Sequence, residues 1–415
     1  MEPITLISGG SRGDVQPFIL LGQALHEAGY SVRLALPPGY ADEVQAAGLA
    51  FHPLRADFDV LLGGQAGQNL KTSGRNPLVV MREGQHLMRD IGRLLVEDAW
   101  ELAQTTRGLI GHIGLSACTQ AIASVRNLPV VHVALQPFMP TRAFPHPLLP
   151  VRQSLGGVYN RLTGNLVQRI TWNVFAGETR RLLNQQGDAQ ATKWRDYAAT
   201  LDKITILNAF SAAAIPFPAD WKANNHITGF WLPPLAMEWQ PAPALVDFLD
   251  AGEAPVFVGF GSVSDTTSVR LVLEALNSAG ERGVLVGFDT RNEKLPATVF
   301  ALPSVPYQWL FKHIKAAIHH GGAGTTAHAL HAGLPMLAVS QVLDQFFWAE
   351  RMFHAGAALK PIPYKQLTAA KLAAAVRALV ADDALRARAA TLGERVQAEN
   401  GLAQAVKISA AGLGI

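Results

Sequence analysis

Strand-like runs and helix-period segments alternate from the start of the chain. The run ITLI at 4–7 precedes a Gly-rich turn at 8–13. The helix that follows carries Val15, Phe18, Leu21 and Leu25 on one face and is expected to end at Gly29. Residues 31–36 form the next strand. This order predicts a βαβ unit in which Asp14 occupies the helix N-cap.

The same alternation continues to the end of the chain and predicts an α/β fold with parallel sheets. Further strands are predicted at 108–113, 129–135, 204–209, 255–260, 284–288, 316–318 and 358–362, with another beginning at 335. Further helices are predicted at 87–102, 117–126, 325–333, 345–354, 368–380 and 385–398. We expect 204–209 to be the last strand of the first half.

The length of the chain and one Pro-rich break indicate two domains. With 415 residues the chain is too long for one ordinary core and suits two domains of about 200 residues each. The segments WLPP at 231–234 and QPAP at 240–243 predict an interdomain linker. The expected division is a domain at 1–230, a linker at 231–243, a domain at 244–400 and a final segment at 401–415.

Composition narrows the function classes. The chain is 49% hydrophobic and only 16% charged, which disfavours disorder. The single cysteine, Cys118, rules out a disulfide framework and fits a reducing compartment. No signal-peptide pattern or apolar run of about 20 residues is present, so a cytoplasmic location is expected. A net charge of +3 is a weak bias and predicts no nucleic-acid partner.

The turn HHGGAG at 319–324 lies between the strand at 316–318 and a predicted helix that opens at Thr325. Free backbone N–H groups and the positive end of a helix dipole make such a turn suitable for a phosphate group. Tight packing alone also explains a Gly-rich turn, but His319, Thr325 and the later Asp344–Gln345 pair favour a binding site. The first turn lacks the G-x-G-x-x-G pattern, which disfavours a nicotinamide cofactor.

The motifs HHGGAGTT, AGLP and DQFFWA resemble the nucleotide-sugar signature of family-one glycosyltransferases. The nearest branch holds the sterol glucosyltransferases and the bacterial antibiotic glycosyltransferases. The resemblance implies the GT-B fold, in which two Rossmann-like domains face each other across a cleft. It implies that 1–230 binds the acceptor and 244–400 the nucleotide sugar, while 401–415 crosses back to the first domain.

The resemblance also implies a set of donor-binding residues. FGS places Ser262 at a phosphate, the VPxxWLF element lets the Val305 backbone read the base, and Asp344 with Gln345 contacts the sugar hydroxyls. Ser304 and Val305 stand where relatives carry a stacking Trp, so the base-stacking residue stays open; Trp309 is expected in the core. The full expected donor set is Ser11, Arg12, Ser262, Val305, His319, Gly321, Gly322, Ala323, Gly324, Thr325, Asp344 and Gln345. With these groups on the diphosphate, no metal or other cofactor is expected.

Asp14 has two interpretations. An Asp at a helix start is more often a cap than a catalyst. The stretch GSRGDVQP at 10–17 nevertheless resembles the opening motif of the sterol and antibiotic branch, in which this Asp is the proposed general base. The two roles are compatible, and we expect Asp14 to be the base. A single displacement then predicts inversion at the anomeric carbon.

The segment QPFMPTRAFPHPLLP at 136–150 resembles the acceptor loop of sterol glucosyltransferases. On that basis Phe138, Met139, Phe144 and His146 are expected to contact the acceptor, although a His between prolines is more often a turn residue. Apolar groups here and at Leu61, Leu62, Leu148 and Leu149 favour a lipophilic acceptor such as a sterol, terpenoid or polyketide.

Two surface features have weaker functional interpretations. Asp57-Phe58-Asp59, in a Gly-rich loop predicted at 57–80, matches a D-x-D metal motif, but a solvated loop is the preferred interpretation. The segment from Arg152 to Arg181 carries Arg161, Arg169 and Arg180 with Trp172 and Phe175 interleaved. It is either merely solvated or makes a peripheral contact with an anionic membrane.

The preferred hypothesis is an inverting UDP-glycosyltransferase that moves a hexose, expected to be glucose, and acts as a monomer or weak dimer. A transferase that uses a TDP-sugar on an antibiotic or phenolic acceptor is the first alternative. A sugar-nucleotide epimerase of the same fold is another, and it needs no acceptor pocket. A catalytically silent homologue would lose Asp14 or the phosphate turn, and both are present.

Overall fold

The computed structural model describes residues 2–56, 77–149, 154–187, 193–235, 239–260 and 266–415, with the backbone alone at 77–88 and 266–268. Two sheets organise these residues. The first has seven parallel strands in the order β3-β2-β1-β4-β5-β6-β7. Its strands are β1 (Ile4–Ile7), β2 (Val32–Leu36), β3 (Ala50–Pro53), β4 (Gly108–His112), β5 (Val130–Ala134), β6 (Ile206–Asn208) and β7 (Asn225–Ile227).

The second sheet has six parallel strands in the order β10-β9-β8-β11-β12-β13. Its strands are β8 (Val256–Gly259), β9 (Gly283–Val286), β10 (Val299–Leu302), β11 (Ala316–His319), β12 (Met336–Ser340) and β13 (Ile362–Pro363). The central strands are fully buried on both faces, which explains their continuous apolar runs. Two parallel α/β sheets confirm the predicted fold class.

Helices cover the faces of both sheets. In the first half they are α1 (Arg12–Glu27), α2 (Ala41–Ala46), α3 (Pro77–Leu102), α4 (Ser116–Arg126), α5 (Gly157–Gln185) and α6 (Trp194–Leu201). In the second half they are α7 (Pro243–Asp250), α8 (Thr266–Ala279), α9 (Tyr307–Leu310), α10 (Ala323–His331), α11 (Gln345–His354), α12 (Ala369–Ala381), α13 (Asp383–Gln397) and α14 (Gly401–Leu413). None of the helices among the described residues has the length and apolar character needed to cross a bilayer.

The structure corrects several predicted elements. Helix α1 begins at Arg12 with Ser11 as its N-cap, so Asp14 is the third helical residue and not the cap. Strand β6 is followed by β7, whose polar Asn-His-Ile sequence lacks the apolar run that signals a strand. The predicted strand at 358–362 is a single bridge at Ala358 followed by β13. Helix α3 begins at Pro77, within the loop predicted at 57–80, and the rest of that loop lies outside the described residues.

The last segment of the chain lies against the first sheet. Ala405 and Leu413 of α14 belong to the same buried apolar cluster as Leu21 and Leu34. Just before α14, the Glu399 carboxylate accepts hydrogen bonds from the Ser211 hydroxyl and the Ala212 amide, both at 3.0 Å. The two halves are therefore joined by this helix as well as by the linker.

Candidate functional site

A cavity of about 460 Å³ lies between the two halves, at the carboxyl ends of both sheets. Parallel sheets bind ligands at this edge because the loops after the strands open there. The first half and the linker contribute Ser11, Gly13, Asp14, Gln16, Pro17, Leu135, Gln136, Leu148, Ala209 and 230–233. The second half contributes His320, 322–325, Ala327, His328 and 343–345.

The first turn of α1 holds the Asp14 carboxylate at the cavity wall. Asp14 Oδ2 accepts hydrogen bonds from the backbone N–H and from the hydroxyl of Ser11, both at 2.9 Å. The Ser8 hydroxyl donates to the Asp14 carbonyl oxygen at 2.9 Å, which ties the turn to the end of β1. No hydrogen bond to the second carboxylate oxygen, Oδ1, is made by the described residues. Asp14 therefore stabilises the helix start and still faces the cavity.

The turn between β11 and α10 forms the opposite wall. Gly321 has a φ of +88°, and a Cβ there would lie 2.8 Å from the Gln345 carbonyl oxygen. Only glycine fits this backbone and this close approach. Gly322 is the N-cap of α10, so the amides of the first helical turn, Ala323, Gly324 and Thr325, are directed towards the cavity end of the helix. That geometry is suited to an anion.

Two histidines precede this helix, and they differ in position. His319 is buried; its Nδ1 accepts the Gly321 N–H at 3.0 Å, so its remaining proton is on Nε2. Nε2 has no hydrogen-bond partner among the described residues. Burial, together with a smaller effect of the neighbouring His320, lowers the pKa of His319 to about 3. The imidazole is therefore neutral, and its single proton stays on Nε2. His320, not His319, contributes to the cavity wall, and burial also lowers its pKa.

Asp344 and Gln345 lie at the start of α11. Asp344 Oδ2 accepts the indole N–H of Trp348 at 3.1 Å, and burial raises the pKa of Asp344 to about 6, with the charge of Asp14 adding to the rise. Gln345 Oε1 accepts the backbone N–H groups of Gln341 at 2.8 Å and of Val342 at 3.2 Å. With Oε1 occupied in this way, the Gln345 NH₂ group donates no hydrogen bond to the described residues.

An aromatic contact between the halves positions this pair. The fully buried Trp348 ring lies 6.3 Å from the ring of Phe210 and 6.0 Å from that of Phe230, both from the first half of the chain. Trp348 therefore fixes Asp344 relative to the first domain as well as to its own helix. The sequence motif identified Asp344, but not this interdomain support.

The predicted donor-binding residues divide into two groups. The structure brings together at the cavity Ser11, Gly322, Ala323, Gly324, Thr325, Asp344 and Gln345, together with the predicted base Asp14. Gly321 and His319 support the turn from behind it. Arg12 points away, since its guanidinium pairs with Glu43 at 3.2 Å. Val305 is partly buried against the core and does not line the cavity. Ser262 lies outside the described residues.

The structure places the four predicted acceptor residues in the protein interior. Phe138, Met139, Phe144 and His146 are each at most 8% exposed, and none lines the cavity. The His146 ring packs edge-on against Phe138, and burial lowers its pKa to about 4. The segment turns inward because α5 covers it: His146 donates its N–H to Thr163 Oγ1 at 2.8 Å. Leu148, which the sequence analysis placed among the cleft-lining groups, does reach the cavity.

Several cavity residues were not predicted. Phe230 ends the first half, Trp231 begins the linker, and Leu135 and Gln136 follow β5; apolar residues at such junctions carry no distinctive sequence signal. His320 could have been found from the double His. Leu343 has a positive φ of 49°, an unusual backbone for a leucine, and its side chain is 62% exposed beside Asp344.

Two histidines of the first sheet, His112 and His132, differ in their relation to Asp14. His132 is fully buried, and burial lowers its pKa to about 4. His112 ends β4, next to β1, and interacts electrostatically with Asp14. Its Nδ1 accepts the Gly114 N–H at 3.1 Å, and its buried Nε2 has no partner among the described residues. Burial lowers the pKa of His112, whereas Asp14 acts to raise it.

Among the described residues there is no group of three or more His, Cys, Asp or Glu side chains that could hold a metal ion. Asp57 and Asp59 lie outside the described residues, so the metal interpretation of that motif stays untested.

The chain has two α/β domains, each built on a parallel sheet, and they face each other across a cavity. This arrangement defines the GT-B class of glycosyltransferase folds. Residues 4–125 match the model of the glycosyltransferase family 28 N-terminal domain. Residues 276–410 match the model of the erythromycin biosynthesis protein CIII-like C-terminal domain. The chain belongs to this family 28 and EryCIII-like group of GT-B glycosyltransferases, which is related to sterol and antibiotic glycosyltransferases. The branch is the one that the sequence motifs indicated.

Relatives that match almost the whole chain include both antibiotic and sterol glycosyltransferases. The chain is 32% identical over 418 residues to the O-mycaminosyltylonolide 6-deoxyallosyltransferase of Streptomyces fradiae, covering 97% of this chain and 95% of that protein. It is 30% identical over 435 residues to a sterol 3-beta-glucosyltransferase of Cryptococcus neoformans, again across 97% of this chain. The chain spans only 27% of the length of that fungal relative.

Solved structures show the same fold at lower identity. The kitacinnamycin glycosyltransferase superposes with a TM-score of 0.74 at 19% identity, over 99% of both chains. SsfS6 of Streptomyces sp. SF2575, solved with thymidine diphosphate, has a TM-score of 0.64 at 17% identity and covers 99% of this chain and all of its own. LpCGTa, solved with UDP, has a TM-score of 0.63 at 18% identity and covers both chains fully.

Proposed function

We propose that the protein is an inverting, nucleotide-sugar-dependent glycosyltransferase that moves glucose from UDP-glucose to a hydroxyl of a lipophilic acceptor. The observation that carries the proposal is the shared cavity: the Asp14 carboxylate lines one wall, and the α10 N-terminus with Asp344 and Gln345 lines the other. A base, an anion-binding turn and a polar sugar-binding pair are the three parts that glycosyl transfer needs.

In the proposed reaction Asp14 takes the proton of the acceptor hydroxyl while that oxygen attacks the anomeric carbon. The bond from the anomeric carbon to the diphosphate oxygen breaks, and the diphosphate leaves with the electron pair. The two hydrogen bonds from Ser11 to Oδ2 orient the carboxylate and leave Oδ1 to receive the proton. General-base catalysis of this kind contributes roughly 10²–10⁴-fold.

The departing diphosphate is stabilised in this proposal by the α10 amides and by Thr325. Backbone N–H groups at a helix N-terminus are fixed before the reaction, so they need no reorganisation as charge develops. The neutral His319, with its proton on Nε2, adds a donor behind the turn. His320 supplies a second imidazole at the cavity wall.

The sugar would lie against Asp344 and Gln345. Asp344 keeps one carboxylate oxygen free of Trp348, and Gln345 keeps its NH₂ group free because its Oε1 is already bonded. One acceptor and one donor suit two adjacent equatorial hydroxyls, as glucose presents. The name of the Streptomyces relative makes a deoxysugar the specific alternative, and the thymidine diphosphate in the SsfS6 structure suggests TDP as its carrier.

An apolar acceptor is supported by apolar walls of the cavity that Asp14 faces. Leu135, Leu148, Phe230 and Trp231 belong to its lining, and such walls favour an apolar molecule with one hydroxyl group. The names of the relatives offer two acceptors, a sterol and O-mycaminosyltylonolide. Both are large and mostly apolar.

The test is a matrix of donors and acceptors, with mass spectrometry to detect adducts and NMR to assign the anomeric configuration and any isomerised donor. UDP-glucose, TDP-glucose and a TDP-deoxysugar are each incubated with sterol-sized, macrolide and small phenolic hydroxyl compounds. We expect a hexose adduct of a large apolar acceptor from UDP-glucose, with inverted anomeric configuration. Isomerised donor formed without any acceptor would instead identify an epimerase, and preference for small polar alcohols would contradict the lipophilic acceptor.

A further inference from the structure

Helix α5 carries an exposed apolar stripe along its N-terminal half. The stripe comprises Leu155, which lies just before the helix, and Val158, Leu162, Leu166 and Ile170. These five side chains are between 51% and 74% exposed, and they make up half of the large apolar side chains that are exposed in the described residues. Steps of four residues turn only about 40° around a helix, so the stripe forms one continuous face about 20 Å long.

The sequence pattern had pointed to the wrong face of this helix. Trp172 and Phe175, which seemed to interleave with the arginines on the surface, are buried at 8% and 6% exposure. Trp172 packs edge-on against Trp194 of α6. The aliphatic residues on the other side have no such cover, and large exposed apolar patches mark interaction sites.

The charges on α5 beside the stripe have one sign. Two aspartates of neighbouring segments, Asp202 and Asp220, line a pocket with Arg161, but Asp202 pairs with Lys222 and Asp220 accepts hydrogen bonds from Thr141 and Arg142. Between 154 and 177 the only charged residues are Arg161 and Arg169, both exposed, and the next acid, Glu178, is buried between Arg89 and Arg181. No carboxylate of the described residues pairs with Arg161. Arg169 lies over the rings of Trp172 and Trp194 at 4.6 and 4.9 Å. An apolar stripe accompanied by cations matches an anionic bilayer surface.

The opposite face of α5 holds the segment that ends at the cavity. Gly164 allows this contact, because a Cβ there would lie 2.7 Å from Pro140 Cα. Asn160 Nδ2 donates to the Arg142 carbonyl oxygen at 2.9 Å, and Thr163 accepts the His146 N–H. Leu148, two residues after His146, lines the cavity. One helix thus separates the exposed stripe from a wall of the site.

We propose that the α5 stripe, Leu155 to Ile170, docks the protein on a bilayer that contains anionic lipid. The apolar side chains enter the interface while Arg161 and Arg169 meet the lipid phosphates. Docking places the helix that supports 138–148 at the lipid surface, next to the source of an apolar acceptor. The docking itself does not depend on the proposed function, but the link to acceptor delivery does.

The test measures binding of the full-length chain to vesicles, without donor or acceptor. The vesicles contain either phosphatidylcholine alone or phosphatidylcholine with about a third of phosphatidylglycerol. We expect binding to the anionic vesicles that weakens at high salt. The double variant Leu162→Asn/Leu166→Asn should bind at least about tenfold less, whereas Ile415→Asn, an exposed apolar residue elsewhere, should bind normally. Arg161→Gln should weaken binding about fivefold, and the exposed Lys407→Gln should not.

Two further measurements show whether weaker vesicle binding of the double variant is caused by misfolding or accompanied by loss of transfer activity. The double variant should keep the wild-type melting temperature and its activity on a water-soluble phenol. Equal binding to both vesicle types, or no difference between the double variant and Ile415→Asn, would overturn the proposal. So would a wild-type dimer that the double variant abolishes without any vesicle binding, because the stripe would then pair two copies of the chain.

Discussion

Asp14 and Asp344 face the same cavity from opposite domains, and the charge of one disfavours the charge of the other. Burial is the main reason that the pKa of Asp344 rises to about 6, and Asp14 adds to it. In a glycosyl transfer the two carboxylates would have separate tasks, one at the acceptor and one at the sugar. The repulsion is tolerable because Asp344 also accepts the Trp348 N–H.

This pair makes a pH-dependent prediction about stability. The folded state of the ligand-free protein holds the Asp344 proton up to about pH 6, whereas an unfolded aspartate releases it near pH 4. The folded state therefore binds more protons in that window, and the Asp344 contribution to stability falls as the pH rises from 4 to 6. Asp344→Asn keeps an oxygen for the Trp348 N–H and removes the charge.

We therefore expect Asp344→Asn to melt above the wild type at pH 7.5 (roughly a few degrees) and near it at about pH 4. Differential scanning calorimetry across this range measures the effect, with the exposed Glu274→Gln as the matched control. A melting difference that is the same at both pH values would show that the charge of Asp344 is not disfavoured by the fold.

Asp14→Asn tests the general base. The amide oxygen of the new side chain can still accept the Ser11 N–H, so the helix start should hold while the proton acceptor is lost. We expect kcat to fall by about 10²–10⁴-fold with UDP affinity unchanged. Ser11→Ala is the control, because it removes one hydrogen bond to Asp14 and leaves the carboxylate. Near-normal turnover of Asp14→Asn would limit Asp14 to supporting the start of α1 and direct attention to His112, whose buried Nε2 lacks a partner among the described residues.

Gly321→Ala and Gly324→Ala distinguish effects on the folding of the turn at 319–325 from effects on the binding of UDP. An alanine at Gly321 meets both a positive φ and the Gln345 carbonyl, so it should lower the melting temperature and UDP binding together. A Cβ at Gly324 has no neighbour within 4 Å and faces the cavity. Gly324→Ala should therefore fold normally and still weaken UDP binding by about tenfold or more. Unchanged UDP affinity of Gly324→Ala in calorimetry would move the diphosphate away from this helix.

His319→Ala addresses the histidine behind the turn. Loss of the imidazole removes the acceptor for the Gly321 N–H and the Nε2 donor, so UDP affinity should fall by about tenfold. Acceptor binding should not change. His313→Ala, an exposed histidine outside the cavity, is the control. Normal UDP affinity of His319→Ala would transfer the proposed phosphate contact to His320.

Local sequence sufficed to predict the turn at 319–325 and the Asp344–Gln345 pair, because strand, turn and helix signals lie within a few residues of one another there. Local sequence also sufficed to predict Asp14 at the cavity, although not its position within α1. It did not suffice for the four predicted acceptor residues. Whether Phe138 and Met139 face the cavity or the core depends on how α5 packs over them, and that contact joins residues about 20 to 30 positions apart. The same long-range packing made the α5 stripe hard to predict. From the sequence, Trp172 was expected at the surface, whereas in the structure Trp172 is buried and Leu166 is exposed.

The last prediction concerns divalent metal ions. In the proposed reaction the α10 amides, Thr325 and the two histidines act as fixed donors to the diphosphate, and such donors can stabilise the leaving charge that Mg²⁺ stabilises in other enzymes. We expect EDTA to leave the rate of transfer unchanged, measured as the amount of glucosylated product. The control is the same reaction without EDTA at the same ionic strength. Activity that EDTA abolishes and magnesium or manganese restores would contradict this expectation. It would also make Asp57 and Asp59 the first candidates for ligands, and Asp57→Asn/Asp59→Asn would then lose the metal response while Gly324→Ala kept it.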